Sequence, residues 1–239
     1  MKKVLITGIT GGIGNALFSV FAENGYFVIG QYCRNSKKTE ELRSSVFAKN
    51  CRFFQCDFSS PEETEKFALT VNSLYPDIDC LINNAGIAHV SLIQDETVAS
   101  VSELLNVNLF APIIVCKETV KNMISAKKGS ILNISSMWGT YGGSMETVYS
   151  ATKGGLNAFT KALSREVGLS SVRVNALSCG FIDTPMTSAY TDDDKNAFCE
   201  NVSLARIGTP KEIASAAFFL CSDAASYITG QILGADGGF

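Results

Sequence analysis

The chain has 239 residues, is 46% hydrophobic and carries a formal net charge of −3. This is ample apolar material for one sizeable α/β core. It excludes a sequence-independent nucleic-acid binder, which needs a basic surface to displace counterions from phosphates. No stretch approaches the roughly 18 consecutive apolar residues of a membrane span. Thr7 and Gly8 interrupt the apolar run behind Lys2 and Lys3 too early for a signal peptide, so a cytoplasmic protein without a membrane partner is expected. The eight cysteines are scattered without a CxxC pair and His89 is the single histidine, so neither a metal site nor a disulfide framework is expected.

In chain order, apolar β-type runs cover residues 4–6, 26–32, 52–55, 80–82, 130–134, 172–177 and 231–233. Between them lie helix-length segments such as 13–24, 61–74, 101–126 and 149–167, and 213–221 suits a buried helix. No repeat or linker divides the chain, so residues 1–239 are expected to form a single domain. Strands that are apolar throughout, alternating with helices, predict a doubly wound α/β domain: a predominantly parallel seven-stranded sheet with helices on both faces. In such sheets the ligand sits beyond the carboxyl ends of the strands, near a topological switch point.

The first strand runs into Thr7-Gly8-Ile9-Thr10-Gly11-Gly12-Ile13-Gly14, followed by an amphipathic helix. Glycines at this place permit a tight turn, a close backbone approach to a pyrophosphate and close packing of helix on sheet, with the phosphates at the helix N-terminus. Gly8, Thr10, Gly12, Ile13 and Gly14 are therefore candidate cofactor contacts. An acid that would bond a ribose 2′-hydroxyl is missing between Val28 and Lys38, where Arg34, Asn35, Ser36, Lys37 and Lys38 stand instead. Arg34 and Asn35 suit a 2′-phosphate, so NADP(H) is favoured and NAD(H) stays open.

Tyr149 and Lys153 lie four residues apart at the start of a helical stretch, on one helix face. A phenol with a reference pKa of about 10 is a weak acid at neutral pH, and a nearby ammonium favours its anion. The pair suits proton transfer to or from a carbonyl/alcohol couple. Ser136 ends the strand Leu132-Asn133-Ile134-Ser135-Ser136, with Ser135 as its neighbouring competitor, and Asn83-Asn84-Ala85-Gly86 follows another strand end.

With these motifs in this order the sequence resembles the compact short-chain dehydrogenases/reductases over its whole length, from TGITGGIG to GQILGADGG. Within them it is most similar to bacterial 3-oxoacyl-acyl-carrier-protein reductases, as in DTPMTSAYTDDDK and LARIGTPKEIASAAFFLCSDAASYITGQ. The resemblance implies a Rossmann fold, NADPH-dependent reduction of a carbonyl to a secondary alcohol, and a homotetramer. Tyr149 would be the general acid, and Lys153 would hold the nicotinamide ribose and lower the phenol pKa. Ser136 would bond the substrate oxygen, and Asn108 would bend a helix and hold a relay water. Asp57, with Phe58 beside it, would cap the adenine. Asn83, Ala85 and Gly86 would flank the cofactor, and Gly180, Ile182 and Thr184 would meet its nicotinamide end.

The substrate implied is a 3-oxoacyl thioester of fatty acid synthesis, with acyl carrier protein as a candidate partner; another small carbonyl, or cofactor sensing without turnover, is the alternative. Residues 185–205 are the expected substrate flap, with Trp138 and Tyr141 as pocket candidates and Asp192–Asp194 as a helix N-terminal turn. Lys127 and Lys128 lie near one basic position of the relatives' carrier-docking patch. Two departures stand out: Cys179-Gly180 replaces the usual Pro-Gly, and Asn15 stands where NADP-dependent members often carry a basic residue. Gly154 and Gly155, inside a helix, imply a close helix approach that could cross a subunit interface.

Overall fold

The computed structural model describes residues 1–44, 47–188 and 190–239. Seven strands form one sheet: β1 (Lys3–Ile6), β2 (Phe27–Tyr32), β3 (Cys51–Gln55), β4 (Cys80–Asn83), β5 (Gly129–Ser136), β6 (Val172–Cys179) and β7 (Ile232–Ala235). Their order is β3-β2-β1-β4-β5-β6-β7 and every pair is parallel. The chain builds outward from β1 to β3, then crosses back to lay β4 on the other side of β1. That reversal opens a crevice at the carboxyl ends of β1 and β4.

Strand residues alternate between two apolar layers, as a period of two requires. Val4, Ile6 and Val28 pack with Leu17, Phe18 and Phe21 of α1 (Gly12–Glu23) and Ile213, Ala217 and Leu220 of α9 (Pro210–Cys221). Leu5, Ile29 and Leu81 face the opposite layer, against Phe67 and Val71 of α3 (Pro61–Leu74), Val115 of α5 (Ala111–Ala126) and Leu163 of α7 (Thr147–Val167). The remaining helices are α2 (Ser36–Arg43), α4 (Val98–Leu105), α6 (Trp138–Tyr141) and α8 (Asp192–Cys199).

The single helix expected over 101–126 is instead α4, a π-helical turn over Asn106–Phe110, and α5. Pro112 has no N–H to give the carbonyl four residues back, that of Asn108, so the regular ladder cannot run through this point. The whole run Val98–Ala126 has a hydropathy of 1.7 in its most apolar window, and a third of that window is buried. By length and composition it could cross a membrane, which a count of uninterrupted apolar residues misses because Glu103, Asn106 and Asn108 break the run. Its buried residues, among them Leu104, Ala111, Val115 and Met123, pack into the protein core.

Candidate active site

The loop between β1 and α1 is enforced by sterics. Gly8 has φ +66°, and a Cβ on it would lie 2.8 Å from the Ala85 Cα. A Cβ on Gly14 would overlap the Gly8 carbonyl oxygen, which is backbone and cannot move aside. Thr7 Oγ1 accepts from the Asn84 and Ala85 N–H groups at 2.9 and 3.0 Å, and Asn84 Nδ2 donates to the carbonyls of Thr7 and Gly8. These bonds lock the ends of β1 and β4 together across the switch point. No side chain caps α1 and its first turn holds no acid, so its positive dipole end faces the crevice. Gly12 lies beside Thr184, whose Cγ2 would be 2.8 Å from an added Cβ, so the phosphate loop and the segment after β6 meet. This cradle fits a dinucleotide. Thr10 and Ile13 are half-buried in it, Ile13 against the apolar layer beneath.

At the other end of the crevice, Cys33, Arg34, Gln55, Asp57 and Glu63 line an open cleft of about 430 Å³. Arg34 is exposed, and the Asn35 side chain accepts from Lys38 N–H as the cap of α2. Asp57 accepts the Ser59 N–H at 2.9 Å, and that bond holds its carboxyl below the usual range, with Arg34 adding to the effect. Phe58 is buried against Phe67 in the apolar layer and does not line the cleft. The Asn83 side chain likewise turns inward, donating to Asn133 Oδ1 at 2.8 Å, and it is Asn84 that reaches the loop.

The catalytic candidates converge at the carboxyl ends of β5 and β6. Ser135 points inward and donates to Asn157 Oδ1 at 2.7 Å, while Ser136, the last residue of β5, accepts the Trp138 N–H at 3.2 Å. Lys153 is 4% exposed, and its Nζ donates to the Ile134 carbonyl at 2.9 Å while standing 5.7 Å from the Tyr149 ring centre. Asn108 is fully buried on the π-helical turn. Its Oδ1 accepts the Ile87 N–H at 2.9 Å and its Nδ2 donates to the Ile87 carbonyl at 2.8 Å, so the carboxamide imitates a strand partner. A Cβ on Gly86 would lie 3.3 Å from Asn108 Oδ1 and 3.6 Å from Lys153 Nζ, so Gly86 keeps the space between them clear.

Burial pushes the Tyr149 phenol above its ordinary value; the Ser136 hydroxyl works the other way and the Glu146 carboxylate adds to the rise. Burial pulls Lys153 down to about 8. The phenol is thus raised, against the lowering expected from Lys153: a dry pocket disfavours the charged form of both groups. Cys179 is buried beside them and burial pushes its thiol up to about 12, so it stays protonated and fills the place of proline as an inert side chain. Gly154 packs by the Gly139 carbonyl and Gly155 against Leu109.

Beyond β6, a Cβ on Gly180 would press on Asp236 Cα, Ile182 is buried and pairs with Gly208, and Thr184 forms a capping box with Thr187. In the segment 185–205, Asp192, Asp193 and Asp194 occupy the first turn of α8, where Asp194 accepts from Thr191; Ala189 lies outside the described residues. Trp138 and Tyr141 both meet Phe239, which stacks on Phe198 of α8 at 5.4 Å. Lys127 and Lys128 precede β5 at its amino end, roughly 23 Å from Ser136 across eight residues, and Lys128 pairs with Asp79. Within one chain they do not flank the site.

Sequence reasoning missed Gln31, which is buried and accepts the Gly8 N–H at 2.8 Å while donating to the Cys56 carbonyl. A polar residue inside the apolar run FVIGQY was the available signal. It also missed Phe239, which meets Trp138, Tyr141 and Phe198.

A crevice shaped for a dinucleotide, ending at a phenol, a hydroxyl and a buried amine, defines a nucleotide-dependent oxidoreductase of the doubly wound class. A family model described as Enoyl-(Acyl carrier protein) reductase matches residues 8–239. The chain is 36% identical over 241 residues to the uncharacterized oxidoreductase YmfI of Bacillus subtilis, covering 100% of this chain and 98% of that one. It is 38% identical to the 3-oxoacyl-[acyl-carrier-protein] reductase FabG of Chlamydia trachomatis, covering 99% and 96%. Among solved structures, a short chain dehydrogenase/reductase family protein matches with a TM-score of 0.90 at 31% identity, over 99% of this chain and 96% of that one. ElxO with NADP bound matches with a TM-score of 0.90 at 27% identity, over 99% and 97%. The chain belongs to the short-chain dehydrogenase/reductase family.

Proposed function

We propose that the protein reduces the 3-oxo group of acyl thioesters with NADPH, giving the 3-hydroxyacyl product. The observation that carries this reading is the grouping at the strand edge: Ser136 at the end of β5, Tyr149 near the start of α7, and Lys153 one turn further on, buried with its Nζ 5.7 Å from the Tyr149 ring centre. A carbonyl oxygen seated there accepts from both hydroxyls, and the phenolic proton passes to it as negative charge develops. The high pKa that burial imposes keeps Tyr149 protonated and ready to donate. Lys153 and Asn108, across the gap that Gly86 leaves, are the route for resupplying that proton. A bound nicotinamide supplies the reducing equivalent; the protein's part is position and electrostatics.

The Gly8–Gly14 loop and Thr184 would hold the pyrophosphate and nicotinamide end. Arg34 in the open cleft would take a 2′-phosphate, which supports NADPH over NADH, as does the likeness to ElxO with NADP bound. FabG relatives named as 3-oxoacyl-[acyl-carrier-protein] reductases support the substrate class. Residues 185–205 would close over the substrate within one domain. The run Val98–Ala126, a third of whose most apolar window is buried, supports a homotetramer assembled through α5 and α7. A cytoplasmic place and an acyl-carrier-protein donor complete the reading.

The test is cofactor oxidation by the purified protein with acetoacetyl thioester, comparing NADPH with NADH and a carrier-protein thioester with a coenzyme A one. NADPH-selective turnover, lost in Tyr149→Phe, is expected. Turnover of a crotonyl thioester in its place would replace the reading with enoyl reduction, in line with the family model's description. Cofactor binding with no turnover of either would leave the sensor alternative.

A further inference from the structure

We propose that Phe239 is a specificity-determining residue: its ring closes the gap between α6 and α8 and limits the length of the acyl chain that the site accepts. The inference rests on the carbonyl-reductase reading above and narrows its substrate class to short 3-oxoacyl chains.

The segments that follow β5, β6 and β7 each send an aromatic side chain to a single cluster. Trp138 stands two residues beyond Ser136, Phe181 two beyond Cys179, and Phe239 four beyond Ala235. The Phe239 ring meets Trp138 and Tyr141 of α6, each at 5.6 Å between centres. On its other side it stacks on Phe198 of α8 at 5.4 Å, 7° from parallel. Phe198 in turn meets Phe181 at 5.3 Å, and Phe181 meets Tyr190 at 5.1 Å. Both feet of this arc stand at the catalytic edge. Trp138 N–H donates to Ser136 Oγ at 3.2 Å, and Met137 N–H donates to the carbonyl of Cys179, the register partner of Ser136. The cofactor crevice lies at β1 and β4, on one side of β5. A chain attached to the reacting carbonyl therefore extends to the other side, toward β6 and β7, where the arc stands.

The ring is held in place. Trp138 lies over Gly143, where an added Cβ would sit 3.0 Å from the indole. The carbonyls of Gly237 and Gly238 accept from the N–H groups of Leu204 and Ser203 at 3.0 and 3.3 Å, and Ser203 Oγ donates to the Gly238 carbonyl at 2.9 Å. Gly237 and Gly238 have φ +75° and +85°, and a Cβ on Gly237 would lie 2.7 Å from Val202 Cγ1. A ring packed between two edges and a stacking partner does not step aside for a ligand. A short acyl chain stops before it, and a longer one collides with it. The thioester arm has to reach solvent, so the acyl end is the one that meets the ring.

The test compares wild type, Phe239→Ala and Phe239→Leu, with the N-acetylcysteamine thioesters of acetoacetate and 3-oxooctanoate as probes. One measurement is kcat/KM with NADPH; the other is calorimetric binding of each thioester to the NADP-loaded protein. The ratio of long chain to short cancels any change that the two compounds share. We expect it to rise about tenfold in Phe239→Ala and about threefold in Phe239→Leu, whose side chain is too short to meet α6 and α8 together. A ratio that stays within about twofold of the wild type in both variants, or that falls, overturns the inference. A fall would make the ring a contact for the chain and not its limit. A shifted binding ratio with no turnover of either thioester would instead count against the reductase reading and leave the length limit standing. Binding of neither thioester by the wild type would remove the acyl pocket, and the inference with it. Retained NADPH binding shows that a variant folds, and if Phe239→Ala lacks it, Phe239→Leu decides alone.

Discussion

The two ends of the crevice are built on different physics. The phosphate loop is a steric device, in which Gly14 is pressed on the Gly8 carbonyl and Gly8 on Ala85, with no slack for even one methyl group. The catalytic edge is a device of buried polar groups, in which Lys153, Asn108, Ser135 and Asn157 are each held by hydrogen bonds in a dry interior. Steric sites fail all at once, because backbone cannot step aside. Polar sites fail by degrees, each lost partner costing a share of the chemistry.

That contrast can be broken or sharpened by measurement. Gly14→Ala should be the most severe change. Overlap with backbone should cost about 3 kcal/mol or more, seen as a lowered urea midpoint with no detectable NADPH binding; a stable, binding-competent variant would show that the loop has slack. Tyr149→Phe should lower kcat by about 10²–10⁴-fold while cofactor binding and stability hold, since it removes one proton donor and no packing. A loss of cofactor binding in that variant would mean that the two ends of the crevice are not separable. Arg34→Ala should raise KM for NADPH about tenfold to a hundredfold and barely touch that for NADH, as loss of one charge-assisted phosphate contact predicts. Equal effects on both cofactors would move the 2′-phosphate contact elsewhere.

The smallest effect is in pH. Lys153 is a base whose pKa burial lowers to about 8, from 10.5 for an exposed lysine, so its ammonium is present below pH 8 and lost above it. The pH profile of kcat/KM should therefore fall on its alkaline side through about 8. A limb that stays level to pH 10 would mean that the site is wetter than its burial indicates.

The alternation of apolar runs and amphipathic segments foretold the parallel sheet and its two helical layers, because strand and helix periods are written residue by residue. The glycine loop, the order of Ser136, Tyr149 and Lys153, and the absence of an acid beyond β2 were equally legible, since each depends on near neighbours in the chain. The structure added the reason that Ser136 rather than Ser135 stands at the edge: Asn157, twenty-two residues beyond Ser135, draws that serine inward. It alone showed that Asn83 turns into the sheet toward Asn133 while Asn84 holds the loop. Gln31 under Gly8 and the burial that drives Tyr149 and Lys153 toward their neutral forms are likewise properties of the fold. Sequence determines what each residue is able to do. Desolvation and the partners brought from distant strands and helices decide which of those abilities is used, because both arise only when the chain has closed on itself.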